Sequence, residues 1–202
     1  GGTIERYKQQ AAEEAAKAVE SGMVVGLGHG TTAIHAVRRI AALLKTGELE
    51  DIRGVPCSCQ VEVQAERLGI PVAGLDECPE VDITIDGADE VDSDLNMIKG
   101  GGGALLREKV VAQASRREIV VVDESKLSPS LGMRMEVPVE VVTFGWRCQA
   151  VFLGSLGAHF GLRRGEMGVP YLTDEGNLIL DCDFGRIADP KALAAKLDRR
   201  AG

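Results

Sequence analysis

Short apolar runs alternate with helical stretches from residue 23 to residue 122, and glycines crowd two of the junctions. Met23 to Leu27, Ile52 to Val55, Val81 to Ile85 and Glu118 to Val122 read as buried strands. Between them, Ala33 to Leu44 carries Ile34, Val37, Ile40, Ala41 and Leu44 on one helical stripe. Residues 59–68 and Ala104 to Ala114 also read as helices, and an Ala/Glu-rich helix over 5–20 precedes the first strand. Such alternation predicts an α/β fold, an open and mostly parallel sheet with helices on both faces, Rossmann-like in layout. After about residue 128 the pattern changes. Val137 to Val142 alternates like a strand, 147–157 suits a helix, and Pro170–Thr173 and Leu178–Cys182 flank a hairpin turn at Asp174-Glu175-Gly176-Asn177. Asp189 is placed to cap a last helix with Pro190 at its first position, running to about Leu197. The expected division is 1–128, the catalytic α/β domain, and 129–202, a small α+β domain.

The net charge of −8 argues against a nucleic-acid partner, which calls for a basic face. It also repels anions at long range, so a phosphate must be held by local donors. No apolar run approaches the roughly 20 residues a membrane span needs, and the first residues show no signal-peptide pattern. Five scattered cysteines suggest reduced thiols in the cytoplasm rather than a disulfide framework. Cys57-Ser58-Cys59 has no second Cys/His pair at metal-ligand spacing, so no metal site is expected.

Two glycine loops supply candidate anion sites. Gly28-His29-Gly30-Thr31-Thr32 follows a strand and opens a helix, where free N–H groups and the positive helix end face a ligand. It is neither GxGxxG nor a Walker A loop; it fits a phosphate without saying which, and glycines serving a tight strand–helix turn are the alternative. His29 either donates to a phosphate or sugar hydroxyl or is simply tolerant of unusual φ. The run Gly100-Gly101-Gly102-Gly103 lets the backbone approach a ligand closely and point several N–H groups at it.

Around that run stand Asp86 and Asp89 at the end of a strand, Lys99 before the glycines and Glu108 in the following helix. The carboxyl ends of parallel strands are where open α/β sheets bind ligands. Aspartates also serve turns, and a glutamate at a helix start also suits the dipole; Asp92 and Asp94 fit the role of loop caps. One base, a lysine and backbone N–H groups suffice for aldose–ketose isomerisation.

The stretches VVGLGHGTTA, DGADEVDSDLNMIKGGGGALLREK, VVDESKL and VPVEVVTFG, in that order, resemble ribose-5-phosphate isomerase of the A type over nearly the whole chain, more weakly after residue 150. The resemblance implies cofactor-free interconversion of ribose 5-phosphate and ribulose 5-phosphate through an enediolate, in the non-oxidative pentose phosphate branch. It implies Glu108 as the proton-shuttling base, Asp86 and Asp89 in ring opening and hydroxyl binding, and Lys99 as electrostatic partner. Gly28, His29, Gly30, Thr31, Thr32, Gly100, Gly101, Gly102, Lys126 and, in the first helix, Lys8 fall on substrate-binding positions. Family members often form dimers or tetramers, so a homo-oligomer, first of all a dimer, is expected. Three departures stand out: His29 replaces a hydroxyl of the usual GTGST loop, Cys57-Ser58-Cys59 replaces a Thr-Ser, and the family's return segment beyond the position of Gly202 is missing. A non-catalytic sugar-phosphate sensor would keep the glycine loops without needing Glu108. A sugar-phosphate deaminase or CoA-transferase-like enzyme would need a signature block that the sequence lacks.

Overall fold

The structure, a computed structural model, describes residues 2–202. In chain order the elements are α1 (Gly2–Ala16), β1 (Val24–Leu27), α2 (Ala33–Thr46), β2 (Arg53–Pro56), α3 (Cys59–Arg67), β3 (Ile83–Gly87), β4 (Glu90–Val91) and β5 (Met97–Ile98). They continue with α4 (Leu105–Gln113), β6 (Glu118–Val121), β7 (Val137–Val141), α5 (Trp146–Ser155), β8 (His159–Leu162), β9 (Leu178–Asp183) and α6 (Pro190–Asp198). The chain forms two compact units, one of residues up to 87 plus 104–125, the other of 88–103 plus 126–202.

The first unit holds a four-stranded parallel sheet in the order β2-β1-β3-β6. Val25, Leu27, Ile83 and Ile85 are buried on it with Val37 and Ile40 of α2, each such side chain worth about 1.5–3 kcal/mol on burial. The order places the first strand centrally, with Pro56 tolerated because β2 is an edge. Gly26 lies within β1, where a Cβ would come 1.8 Å from Thr84 Oγ1 and 2.9 Å from Val111 Cγ1. Ser115 Oγ reaches Thr84 Oγ1 at 2.7 Å and donates to the Val111 carbonyl at 2.7 Å, fastening the C-terminal end of α4 to β3.

The second unit carries an antiparallel sheet in the order β7-β9-β8, with α5 against it and Leu153, Leu178, Leu180 and Cys182 at its core. Here the sequence reading fails in one strand. β8 pairs with β9, whereas 170–173 form no strand of the sheet. The turn itself exists, with Gly176 N–H donating to the Thr173 carbonyl and Thr173 N–H to that of Asn177. α6 starts as expected: Asp189 accepts from Ala192 N–H at 2.9 Å.

Instead of one boundary after residue 128, the chain changes unit after residues 87, 103 and 125. Residues 88–103 fold as the β4–β5 hairpin, and its packing partners lie in the second unit. Ser128 N–H donates to the Val91 carbonyl, and Ile98 packs with Leu131 and Ile187. Glu90, wholly buried, accepts from the backbone N–H groups of Gly132, Met133 and Met135 at 3.1–3.2 Å. A buried carboxylate is tolerable only with such partners.

Asp92 closes the hairpin turn, as its loop-capping reading anticipates. Hydrogen bonding by the Asn96 side chain, joined by the backbone N–H groups of Asn96 and Asp94 against slight desolvation, holds its carboxyl below the ordinary 3.8. A lowered folded pKa gives stability that is full above the unfolded value and lost as pH falls through the folded one. An NMR titration of Asp92 is therefore expected to give a midpoint below 3.8; a midpoint at or above it contradicts this turn geometry.

None of the five cysteines is in a disulfide; Cys59 and Cys148 are exposed and Cys57, Cys78 and Cys182 buried. Burial, with Asp181 and Glu136 adding, pushes the Cys182 thiol up to about 12. At neutral pH a thiol reagent is expected to modify Cys59 and Cys148 quickly and Cys182 only on unfolding; mass mapping of labelled peptides checks this.

Candidate active site

In the first unit, β1 ends at Leu27 and its neighbour β3 runs on to Gly87. Asp86 thus lies on the strand rather than in the turn after it, fully buried. Its Oδ1 accepts from His29 N–H at 3.1 Å and Gly87 N–H at 2.7 Å. Gly28 N–H donates to the Ile85 carbonyl at 2.9 Å. The two strand ends are so close that a Cβ on Gly28 would sit 2.4 Å from both Asp86 Oδ1 and the Ile85 oxygen. Gly28 is therefore required by close approach of backbone, and Asp86 orders the loop.

The rest of that loop leads into α2. Gly30 adopts φ +118 with open space around it. Lys8 of α1 donates to Thr31 Oγ1 at 3.0 Å, so two predicted binding residues meet. Thr32, buried, stands at the N-terminus of α2 without a side-chain capping bond. His29 has no positive φ, so backbone tolerance does not explain it. Its Nδ1 lies 2.9 Å from Ser58 Oγ, which also accepts from Val61 N–H as the cap of α3. The contact spans 29 residues of chain and has no local sequence signal. Glu108 occupies the first turn of α4 and is only 5 % exposed; a carboxylate there gains from the helix dipole. Lys109, its neighbour, is exposed.

In the second unit, Lys99 follows β5 half-buried, and Lys126 ends a short 3₁₀ turn, Glu124–Lys126, at the point where the chain changes unit. Asp89 Oδ2 accepts from Gly101 N–H at 2.8 Å, and a Cβ on Gly101 would lie 2.8 Å from Asp89 Oδ1. Gly100 and Gly103 take φ +104 and +82, and Gly103 N–H donates to the Gly100 carbonyl. Tyr171 Oη would lie 2.4 Å from a Cβ at Gly103. The run is a shaped turn, not a linker.

Sequence reasoning missed Arg163. Its guanidinium grips Asp181 through Nε and Nη2, and its Nη1 donates to the carbonyls of Gly100 at 2.9 Å and Gly101 at 3.2 Å. Gly161 and Asp181 face each other across β8 and β9, so a pairing that spans 18 residues becomes readable only once β8 is placed.

A family model for ribose 5-phosphate isomerase A (phosphoriboisomerase A) matches residues 53–202. The chain belongs to the ribose 5-phosphate isomerase A family. A ribose-5-phosphate isomerase A of Chloroflexus aurantiacus is 56 % identical over 200 residues, 99 % of this chain and 84 % of that protein. One from Desulfatibacillum aliphaticivorans is 54 % identical over 195 residues, 96 % and 85 % of the two chains. Among solved structures, a D-ribose-5-phosphate isomerase in complex with phospho-erythronic acid superposes with a TM-score of 0.95 at 41 % identity, covering 99 % of this chain and 88 % of that one. The ribose 5-phosphate isomerase A of Methanocaldococcus jannaschii gives 0.93 at 38 %, with 99 % and 88 % covered. The fold expected for the family, a parallel α/β sheet with a smaller antiparallel α+β part, is the fold found. The chain is accordingly an aldose–ketose isomerase by family. Among the described residues, no helix is long and apolar enough to cross a membrane.

Proposed function

We propose that this isomerase interconverts D-ribose 5-phosphate and D-ribulose 5-phosphate through an enediolate, with Glu108 moving the proton. The observation that carries the assignment is a glutamate kept 95 % from solvent in the first turn of a helix, immediately after a polyglycine turn. The substrate class is supported by the relatives' names and by the related isomerase that holds phospho-erythronic acid.

The chemistry then follows from the residues. Opening of the furanose transfers the O1 proton to the ring oxygen, a task for Asp86 and Asp89, which also hold hydroxyls. The Glu108 carboxylate takes the proton from C2, and the C2–H electron pair becomes the C1–C2 double bond as the carbonyl electrons move to O1. The Lys99 ammonium and the backbone N–H groups of Gly100 and Gly102 stabilise that oxyanion, while Gly101 N–H holds Asp89. The O2 hydroxyl proton passes to O1, and the acid returns its proton to C1 as the O2 electrons form the ketone. Hydrogen moves within one substrate, so no external oxidant is consumed. Lys8, the Gly28–Thr32 loop with His29, and Lys126 are assigned to the phosphate and the sugar chain.

We also assign the chain to the cytoplasm, where thiols outside disulfides stay reduced, and to a dimer. Phe144, Val151 and Met167 of the second unit are 91, 75 and 97 % exposed, apolar surface that a second copy would cover. Light scattering of the purified chain tests the dimer.

Purified protein given ribose 5-phosphate is expected to form the ketopentose phosphate until equilibrium. Thermal stabilisation by ribose 5-phosphate without conversion would instead mark the non-catalytic sensor, a reading that the isomerase relatives disfavour.

A further inference from the structure

We infer that Arg163, locked by Asp181, is a positioning residue that aims the polyglycine amides at the anionic oxygen of the reaction intermediate. The inference rests on the isomerase reading and concerns a pair that touches no reacting atom.

In a trans peptide the carbonyl and the following N–H point in opposite directions, and the described residues contain no cis peptide. Whatever holds the carbonyls of Gly100 and Gly101 therefore sets the directions of the Gly101 and Gly102 N–H groups. Arg163 Nη1 holds both carbonyls. The Gly101 N–H accordingly points away from the guanidinium and lands on Asp89. The Gly102 N–H is turned away too, and among the described residues it has no hydrogen-bond acceptor in the protein. It is a donor held in a fixed direction and left for a ligand.

The turn's own bond, from Gly103 N–H to the Gly100 carbonyl, holds the first of these peptides but not the second. A four-glycine run has the largest backbone freedom of any sequence, and an oxyanion donor works only if its orientation is set before the charge develops. Arg163 can act as a rigid peg because its own orientation is fixed. Two of its nitrogens bind the two oxygens of Asp181, and the pair is 15 and 21 % exposed. A planar fork gripping a carboxylate leaves one edge for the carbonyls, an arrangement a lysine ammonium cannot copy. Asp181 also balances the added charge, so Arg163 contributes direction rather than a field.

The test compares Arg163→Met, Arg163→Lys and Asp181→Asn with the parent. Each is assayed for kcat and KM on ribose 5-phosphate, for inhibition by phospho-erythronic acid and by inorganic phosphate, and for thermal unfolding. Phospho-erythronic acid carries a planar carboxylate beside a phosphorylated polyol chain, so it mimics the enediolate; inorganic phosphate reports only the anion tail. The expected result is a fall in kcat on the order of 10²-fold for Arg163→Met, as for other misplaced catalytic donors. A matching loss of phospho-erythronic acid affinity should accompany it, with KM and phosphate inhibition nearly unchanged. Arg163→Lys should not restore kcat, and Asp181→Asn should show the same split more weakly. Variants whose folded fraction keeps the parental kcat and phospho-erythronic acid affinity overturn the inference, whatever their melting temperature. If the parent shows no turnover, the assigned reaction fails, while the phospho-erythronic acid affinities still decide the role of Arg163.

Discussion

Glu108→Gln is expected to lower kcat on ribose 5-phosphate by about 10²–10⁴-fold, the usual worth of a positioned acid–base group. The substitution keeps size and hydrogen-bonding shape and removes the ability to carry a proton. The first turn of α4 needs no acidic cap to form, because Glu108 N–H already bonds to the Ala104 carbonyl. KM should therefore move little, and the lost helix-dipole interaction, about 0.3–1 kcal/mol, lowers the stability. Steady-state kinetics with coupled detection of the ketopentose phosphate checks this. Undiminished kcat would remove Glu108 from the mechanism and leave the fold untouched.

Gly28→Ala is expected to cost both stability and activity. The new methyl would lie 2.4 Å from the Ile85 oxygen and 2.5 Å from Asp86 Cα, both backbone atoms. They cannot retreat, because β3 is laddered to β1 on one side and β6 on the other. Overpacking of this kind costs about 1–3 kcal/mol and sometimes more. Relief by pushing the loop outward would break the His29–Asp86 and Gly28–Ile85 bonds that fix its amides. Gly74→Ala, with open space and no unusual φ, is the control and should be near neutral. Urea unfolding and kinetics of the two variants, side by side, measure the difference; equal stabilities would show that the strand ends are not in close contact.

The α/β architecture was legible because buried parallel strands and amphipathic helices leave different periods in the sequence, and β1, α2 and β6 lie within a few residues of where the pattern puts them. β8 was not legible. His159-Phe160-Gly161-Leu162 is short, contains a glycine and is mostly exposed, so it carries no alternation to detect. Pro170–Thr173 carried a better apolar signal next to a strong turn, yet β9 already has β7 and β8 on its two edges. The candidate site shows the same limit. Glycines and acids of the 82–109 block could be read as local chemistry, whereas the contacts of His29 with Ser58 and of Arg163 with Asp181 and the glycine carbonyls join residues 18 to 63 positions apart. Asp86 was recognised, but its burial on the strand and its grip on the first loop needed the register of β1 on β3.

The central claim is that a carboxyl group carries a proton between adjacent carbons of the sugar. Running the reaction to equilibrium in deuterium oxide and locating the label by NMR tests it directly. The account predicts deuterium at C1 of ribulose 5-phosphate and C2 of ribose 5-phosphate, lost in Glu108→Gln. After many turnovers with no deuterium on any carbon, the hydrogen would have passed as hydride from C2 to C1, and the account would be contradicted.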